Sequence, residues 1–217
     1  MTAGPVSYRE VELKADGRLL PGMMAVPSAA LGVVAFAHGS GSSRTSPRNQ
    51  EVAAALNGCR LATLLFDLLS EDEAADRSKV FDIPLLADRL EAATAWLATT
   101  PATSRLPVGL FGASTGAAAA LLAASEGEPI AAIVSRGGRP DLAGSRLRDV
   151  QAPTLLIVGS RDDVVLELNR RALASLPRSS ELRIVQGATH LFEEPGALAE
   201  VARLACAWFV RHFDGEA

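Results

Sequence analysis

The reading of this chain turns on Val108-Gly109-Leu110-Phe111-Gly112-Ala113-Ser114-Thr115-Gly116, which runs straight into the small-residue segment Ala117 to Ala124. Val108, Leu110 and Phe111 form the short apolar burst of a strand buried on both faces, and the segment behind them is rich in strong helix formers. A strand that passes directly into a helix turns too tightly for a Cβ beside the turning residue. Gly112 and Gly116 flank the turn for that reason, and Ser114 is left at its apex with the hydroxyl exposed, as a nucleophile requires. The pentapeptide G-x-S-x-G is a weak signal as a string. The strand before it and the helix after it separate it from the alternative, a glycine-rich structural turn.

Working outward, continuous apolar runs predict buried strands over Gly32 to Ala37, Leu61 to Leu69, Ile130 to Val134, Thr154 to Val158 and Glu181 to Val185. Helical spacing alternates with them. Arg48 to Leu56 is preceded by Ser46 as cap and Pro47 at its first position, with Gly58 behind it. Ile83 to Ala98 and Val165 to about Leu176 follow. A closing helix opens at Pro195 and runs to about Phe213, with Leu198, Val201, Ala205, Trp208 and Phe209 on one stripe. At the amino end, Val6 to Leu13 and Leu19 to Val26 flank Ala15-Asp16-Gly17-Arg18 and predict a hairpin at a sheet edge. The expected fold class is α/β: a mostly parallel central sheet with an N-terminal antiparallel hairpin and helices on both faces, in one domain over residues 1–217. The polar stretch Ser70 to Asp82, with Glu71, Asp72, Glu73 and Asp76, is expected as a solvated loop or short helix forming a mobile rim over a pocket.

The totals narrow the class. A chain of 217 residues that is 48% hydrophobic can bury one substantial core, and a net charge of −4 argues against a general nucleic-acid binder. No apolar stretch reaches membrane-spanning length without a charge or breaker, and Met1 to Glu10 lacks the pattern of a secretory leader, so the expected location is cytoplasmic. Cys59 and Cys206 are far apart and outside any metal-ligand spacing; they are expected as buried free thiols rather than a disulfide.

In an open parallel sheet, ligands bind beyond the carboxyl ends of the strands. Two further strand exits carry the groups a serine nucleophile needs. Gly159-Ser160-Arg161-Asp162 follows Val158, and Gly187-Ala188-Thr189-His190 follows Val185. Imidazole is a base matched to neutral pH, and a carboxylate fixes its tautomer and stabilises its cation. Ser114, Asp162 and His190 come in the chain order expected of such a triad, with Asp163 the competing carboxylate. His38, in His38-Gly39-Ser40-Gly41, comes too early to be the base and is expected to prop the loop, while His212 falls in the last turn of the final helix. For the oxyanion, the expected donors are the backbone N–H groups of Thr115 and Ser40. Arg44, Arg136 and Arg139 stand near two exits. Arg44 and Arg136 are candidates for binding an anionic substrate, against the alternative that these arginines pin loops through backbone carbonyls or Asp141.

These motifs together resemble the α/β-hydrolase superfamily and, within it, the small, cap-less dienelactone hydrolase-like branch. That branch's namesake uses a cysteine nucleophile where this chain has Ser114. The resemblance implies a serine esterase acting on small carboxylic esters or lactones, without metal or cofactor and without nucleic-acid or membrane partners, as a monomer or homodimer. Two alternatives stand beside it: a binding protein that keeps the scaffold without useful turnover, and an enzyme passing the acyl group to a nucleophile other than water.

Overall fold

A computed structural model describes residues 4–127 and 129–214. Eight strands make one sheet: β1 (Val6–Ala15), β2 (Arg18–Pro27), β3 (Gly32–Ala37), β4 (Leu61–Phe66), β5 (Val108–Ala113), β6 (Ala132–Arg136), β7 (Thr154–Gly159) and β8 (Glu181–Val185). Their spatial order is β1-β2-β4-β3-β5-β6-β7-β8. β2 pairs antiparallel with β1 and with β4, and every later pairing is parallel. The amino-terminal hairpin therefore forms one edge of the sheet and β5, which ends at Ser114, lies near its middle.

The helices form where local chemistry allows. α1 (Pro47–Gly58) starts at Ser46, whose hydroxyl accepts from the Asn49 N–H, with Pro47 in the first turn. α2 (Glu71–Ala74) and α3 (Arg77–Val80) are single turns, and α4 (Ile83–Thr99) is capped by Asp82 through the Leu85 N–H. α5 (Thr115–Glu126), α6 (Asp163–Leu173) and α7 (Ala197–Phe213) follow β5, β7 and β8. A 3-10 segment over Pro140–Asp149, broken at Gly144, fills the connection after β6.

Successive strand residues feed two layers. Leu110, Ile133 and Leu156 pack with α4 and α5 on one face. Phe36, Phe111, Val134 and Ile157 pack with α1 and α7 on the other. Ala117 to Ala120 are fully buried, and their small size lets α4 and the 3-10 segment close over α5.

Four expectations change. β6 runs two residues further than Val134, which takes Ser135 and Arg136 out of the loop and buries both. The segment 70–82, expected as a solvated loop or short helix, is mostly exposed and folds into the short helices α2 and α3, but a buried ion pair between Glu73 and Arg89, 3.2 Å apart, pins it in a way the linear reading did not foresee. α7 starts at Ala197 because Gly196, at φ 81°, keeps the residue before it outside the helix. Cys59 and Cys206 form a disulfide, their Cα atoms 6.2 Å apart, because the end of α1 and the middle of α7 lie side by side on one face of the sheet.

Candidate active site

The turn after β5 carries the backbone strain that its glycines foretell. Ser114 sits at φ 52° and ψ −120°, a conformation that costs a side-chain-bearing residue on the order of 1–3 kcal/mol. A Cβ at Gly112 would collide with the backbone of Ala117, and one at Gly116 with the carbonyls of Ala37 and His38, so only glycine lets α5 start this close to β3 and β5. The Ser114 N–H donates to the Arg136 carbonyl at 3.1 Å, and its own carbonyl accepts from Ala117 and Arg139. The residue is half-buried at the carboxyl edge of the sheet.

Asp162 and His190 meet from two neighbouring strand exits. Asp162 Oδ2 lies 2.6 Å from His190 Nδ1, with the carboxylate mostly buried and the imidazole partly open. Asp162 is also the residue that precedes α6, whereas Asp163 lies in the first turn and is exposed, so the neighbouring carboxylate faces solvent. Gly137 packs against the imidazole: a Cβ there would stand 3.5 Å from Nδ1 and Cε1. Because Gly137 follows the residue that binds the Ser114 N–H, serine and imidazole border the same short stretch, Arg136-Gly137. No hydrogen bond joins Ser114 Oγ to His190 among the described residues, a separation common in ligand-free sites of this kind.

The two loops are stitched together by residues that sequence reading passed over. Arg161 N–H donates to the Ala188 carbonyl, Gly187 N–H to Ser160 Oγ, and Thr189 N–H to the Glu194 carboxylate at 3.1 Å. That last bond and its neighbours hold Glu194 below the usual carboxylate range. Asn169, fully buried on α6, donates to the Gly138 carbonyl and steadies the loop after β6. Only the spacing of polar residues around the strand exits hinted at these roles.

At the β3 exit, His38 is buried. Its Nε2 accepts from the Leu68 N–H and its Nδ1 donates to the Gly39 carbonyl, which fixes a neutral tautomer; burial lowers its pKa. It is the prop expected from its position. A Cβ at Gly39 would stand 3.1 Å from the Ser114 Cβ, so this loop lies directly against the serine. The Ser40 N–H, one expected oxyanion donor, here donates to Thr115 Oγ1 at 2.9 Å. The Thr115 N–H belongs to the first turn of α5, where helix donors lack an acceptor within the helix.

The arginines divide. Arg44 is bound to Asp67 through both its backbone N–H and its guanidinium, and Arg139 makes a two-pronged pair with Asp141 at 2.9 and 2.8 Å. Both hold loops in place, so Arg44 lines the site as half of an ion pair rather than as a free cation. Arg136, now part of β6, has no carboxylate partner among the described residues. A cleft of about 670 Å³ opens beside Ser40, walled by His38, Arg44, Asp67 and Leu68 and roofed by Ser70, Ala74 and Val80 of the rim. No group of three or more metal-ligating side chains gathers among the described residues, and no helix among them is long and apolar enough to cross a membrane.

Residues 30–204 match the family model described as "Alpha/beta hydrolase domain". A crystal structure of dienelactone hydrolase from Anabaena variabilis is 52% identical, superimposes with a TM-score of 0.92, and is covered over 98% of its length by 95% of this chain. Est1E from Butyrivibrio proteoclasticus shares the fold at a TM-score of 0.80 with 15% identity, over 94% of this chain and 99% of its own. Among curated proteins, one from each of two Mycobacterium tuberculosis strains, provisionally named phosphoribosyl transferase, is 58% identical over 97% of this chain. The chain spans about half the length of those two relatives, 48%. With its eight-stranded sheet, its serine-bearing turn and these matches, the chain belongs to the α/β-hydrolase family, in its dienelactone hydrolase-like branch.

Proposed function

We propose that this protein is a serine hydrolase that cleaves carboxylic esters or lactones through an acyl-enzyme. The observation that carries this reading is the 2.6 Å bond between Asp162 and His190, set beside a serine held at positive φ on a strand-to-helix turn. With Nδ1–H bonded to the carboxylate, His190 Nε2 carries the free lone pair and can take the Ser114 proton. Ser114 Oγ then bonds to the acyl carbon while the carbonyl electrons move onto oxygen. The N–H of Thr115 faces that charge, joined by the N–H of Ser40 once Thr115 Oγ1 releases it. Collapse breaks the bond to the alcohol, which leaves with the proton from His190. Water, deprotonated by the same imidazole, attacks the acyl-serine and frees the acid.

Labelling with a fluorophosphonate probe, alongside turnover of short p-nitrophenyl esters, tests the assignment. Wild type takes the label; Ser114→Ala does not, stays folded by circular dichroism, and loses roughly 10⁴-fold or more in kcat. A wild type that neither labels nor cleaves any short ester defeats the reading.

A second reading is transfer. The two relatives that are 58% identical carry a transferase name, but it is given for a phosphoribosyl group, not an acyl group, and to proteins about twice the length of this match. In the geometry above, transfer means that another alcohol replaces water in the second half-reaction. Product ratios in the presence of added alcohols measure that partition.

A further inference from the structure

Thr115 stands next to the nucleophile with one group unspent. Its backbone N–H belongs to the first turn of α5, where no helix acceptor faces it. Its hydroxyl oxygen accepts from the Ser40 N–H at 2.9 Å and so joins the serine-bearing turn to the loop after β3. The residue is 5% exposed, and the hydroxyl proton meets no acceptor among the described residues. A buried hydroxyl that accepts a bond and gives none has half its capacity idle. This one lies beside Ser114, against a loop packed so closely on the serine that a Cβ at Gly39 would stand 3.1 Å from the Ser114 Cβ.

The surroundings leave Oγ1 little freedom to withdraw. A β-branched side chain is stiff at χ1, and the backbone is fixed because Gly116, the next residue, presses on the carbonyls of Ala37 and His38. When the Ser40 N–H turns to the oxyanion, that oxygen comes within reach of an N–H that Oγ1 was holding, and the two oxygens become neighbours. Neighbouring oxygens, one of them negative, repel unless a proton lies between them. The Thr115 hydroxyl carries such a proton. We propose that this hydroxyl is a third oxyanion donor: it holds the Ser40 N–H in the resting site and gives its own O–H bond to the carbonyl oxygen as charge builds there. This rests on the ester-hydrolase reading above and adds a catalytic residue to it. The proton stays on Oγ1 throughout, so the contribution is a hydrogen bond and no proton is transferred. An N–H still partly donating to Oγ1 polarises the O–H, and in a buried site each bond of such a chain strengthens the next. Because the bond grows with the negative charge, its effect falls on kcat rather than on KM.

The test compares wild type with Thr115→Val, which keeps the shape without the hydroxyl, and Thr115→Ser, which keeps the hydroxyl without the methyl. Each is assayed on p-nitrophenyl acetate across pH and for binding of phenylboronic acid, whose boron takes up the Ser114 oxygen and becomes a tetrahedral anion like the intermediate. Thr115→Val is expected to lose roughly 10- to 100-fold in kcat, with KM changed less than about threefold, and to bind the boronate more weakly by a similar factor. Thr115→Ser is expected to stay within about threefold of wild type in both. The midpoint of the pH profile is expected to be the same in all three, because no titrating group is altered. A shifted midpoint in Thr115→Val would place the effect on His190 and overturn the assignment. Wild-type or higher kcat and boronate affinity in Thr115→Val would overturn it too, leaving the hydroxyl as a mere occupant of the Ser40 N–H at rest. So would equal losses in the two variants, which would make the methyl group's packing the cause. Should Thr115→Val not fold, Thr115→Ala set against Thr115→Ser makes the same comparison. A wild type that neither cleaves esters nor binds the boronate would defeat the hydrolase reading and this donor with it, whereas an active wild type equalled by Thr115→Val would defeat the donor alone.

Discussion

His38 shows how a single side chain can couple the site to acidity. Its neutral ring accepts from Leu68 and donates to Gly39, joining the β3 and β4 exits, and burial lowers its pKa below the ordinary histidine value. A histidine with a depressed folded-state pKa contributes stability that is present above about pH 6.5, its unfolded value, and is lost as pH falls through the folded value. The melting temperature should therefore drop between pH 7 and 5, and His38→Gln, which can still accept from Leu68, should drop less steeply. Parallel slopes in the two proteins would remove His38 from this role. At this scale the sequence was most informative where chemistry asks for a residue type at a strand exit: the exits that carry Ser114, Asp162 and His190 were legible, and of the two carboxylates Asp162, not the exposed Asp163, is the one bonded to His190. The tie between Arg44 and Asp67 was not legible, because the two lie 23 residues apart at different exits and nothing in a linear reading joins them. Ser160 and Glu194 escaped notice because a hydroxyl or carboxylate that bonds a neighbouring loop's N–H leaves no pattern in the chain.

Among the elements, apolar runs and caps located β3, β5, β7, β8, α1 and α4 to within a few residues, since buried strands and capped helices each have a compositional cause. β6 was cut short because Ser135 and Arg136 are polar, although both are buried. The rim formed by α2 and α3 was the least legible, because its order comes from a partner on another helix. Glu73, 4% exposed, accepts from Ser70 and pairs with Arg89, 2% exposed, which also donates to the Ala15 carbonyl at the end of β1. Desolvation pushes Glu73 upward, but the Ser70 bonds and the nearby cations outweigh it and its pKa lies below the usual range. Removing one member of a buried pair leaves the other uncompensated. Arg89→Met should cost about 3 kcal/mol in urea denaturation, less whatever Lys79 and Arg18 supply to Glu73. It should also make the 70–82 segment the first to be cut by limited proteolysis. A stability change under ~0.5 kcal/mol would show that the pair does not hold the rim.

Across the whole molecule, the mostly parallel sheet follows from the alternation of strands and helices and its antiparallel edge from the amino-terminal hairpin, whereas the strand order and the Cys59–Cys206 bond do not. The two cysteines are 147 positions apart, and only the packing of α1 against α7 brings them together. Closing so long a loop restricts the unfolded chain, so reduction, or Cys206→Ser, should lower stability by about 4 kcal/mol, measured by thermal melting with and without reductant. An unchanged melting temperature would mean that the crosslink adds nothing to the fold. The same bond bears on how the molecule would yield to force. Pulled from its two ends, the oxidised chain transmits tension through the crosslink and bypasses everything between residues 59 and 206. The amino-terminal hairpin, β3, all of α1 and the last turns of α7 can then be drawn out, while Ser114, Asp162 and His190 sit inside a shielded ring of polypeptide.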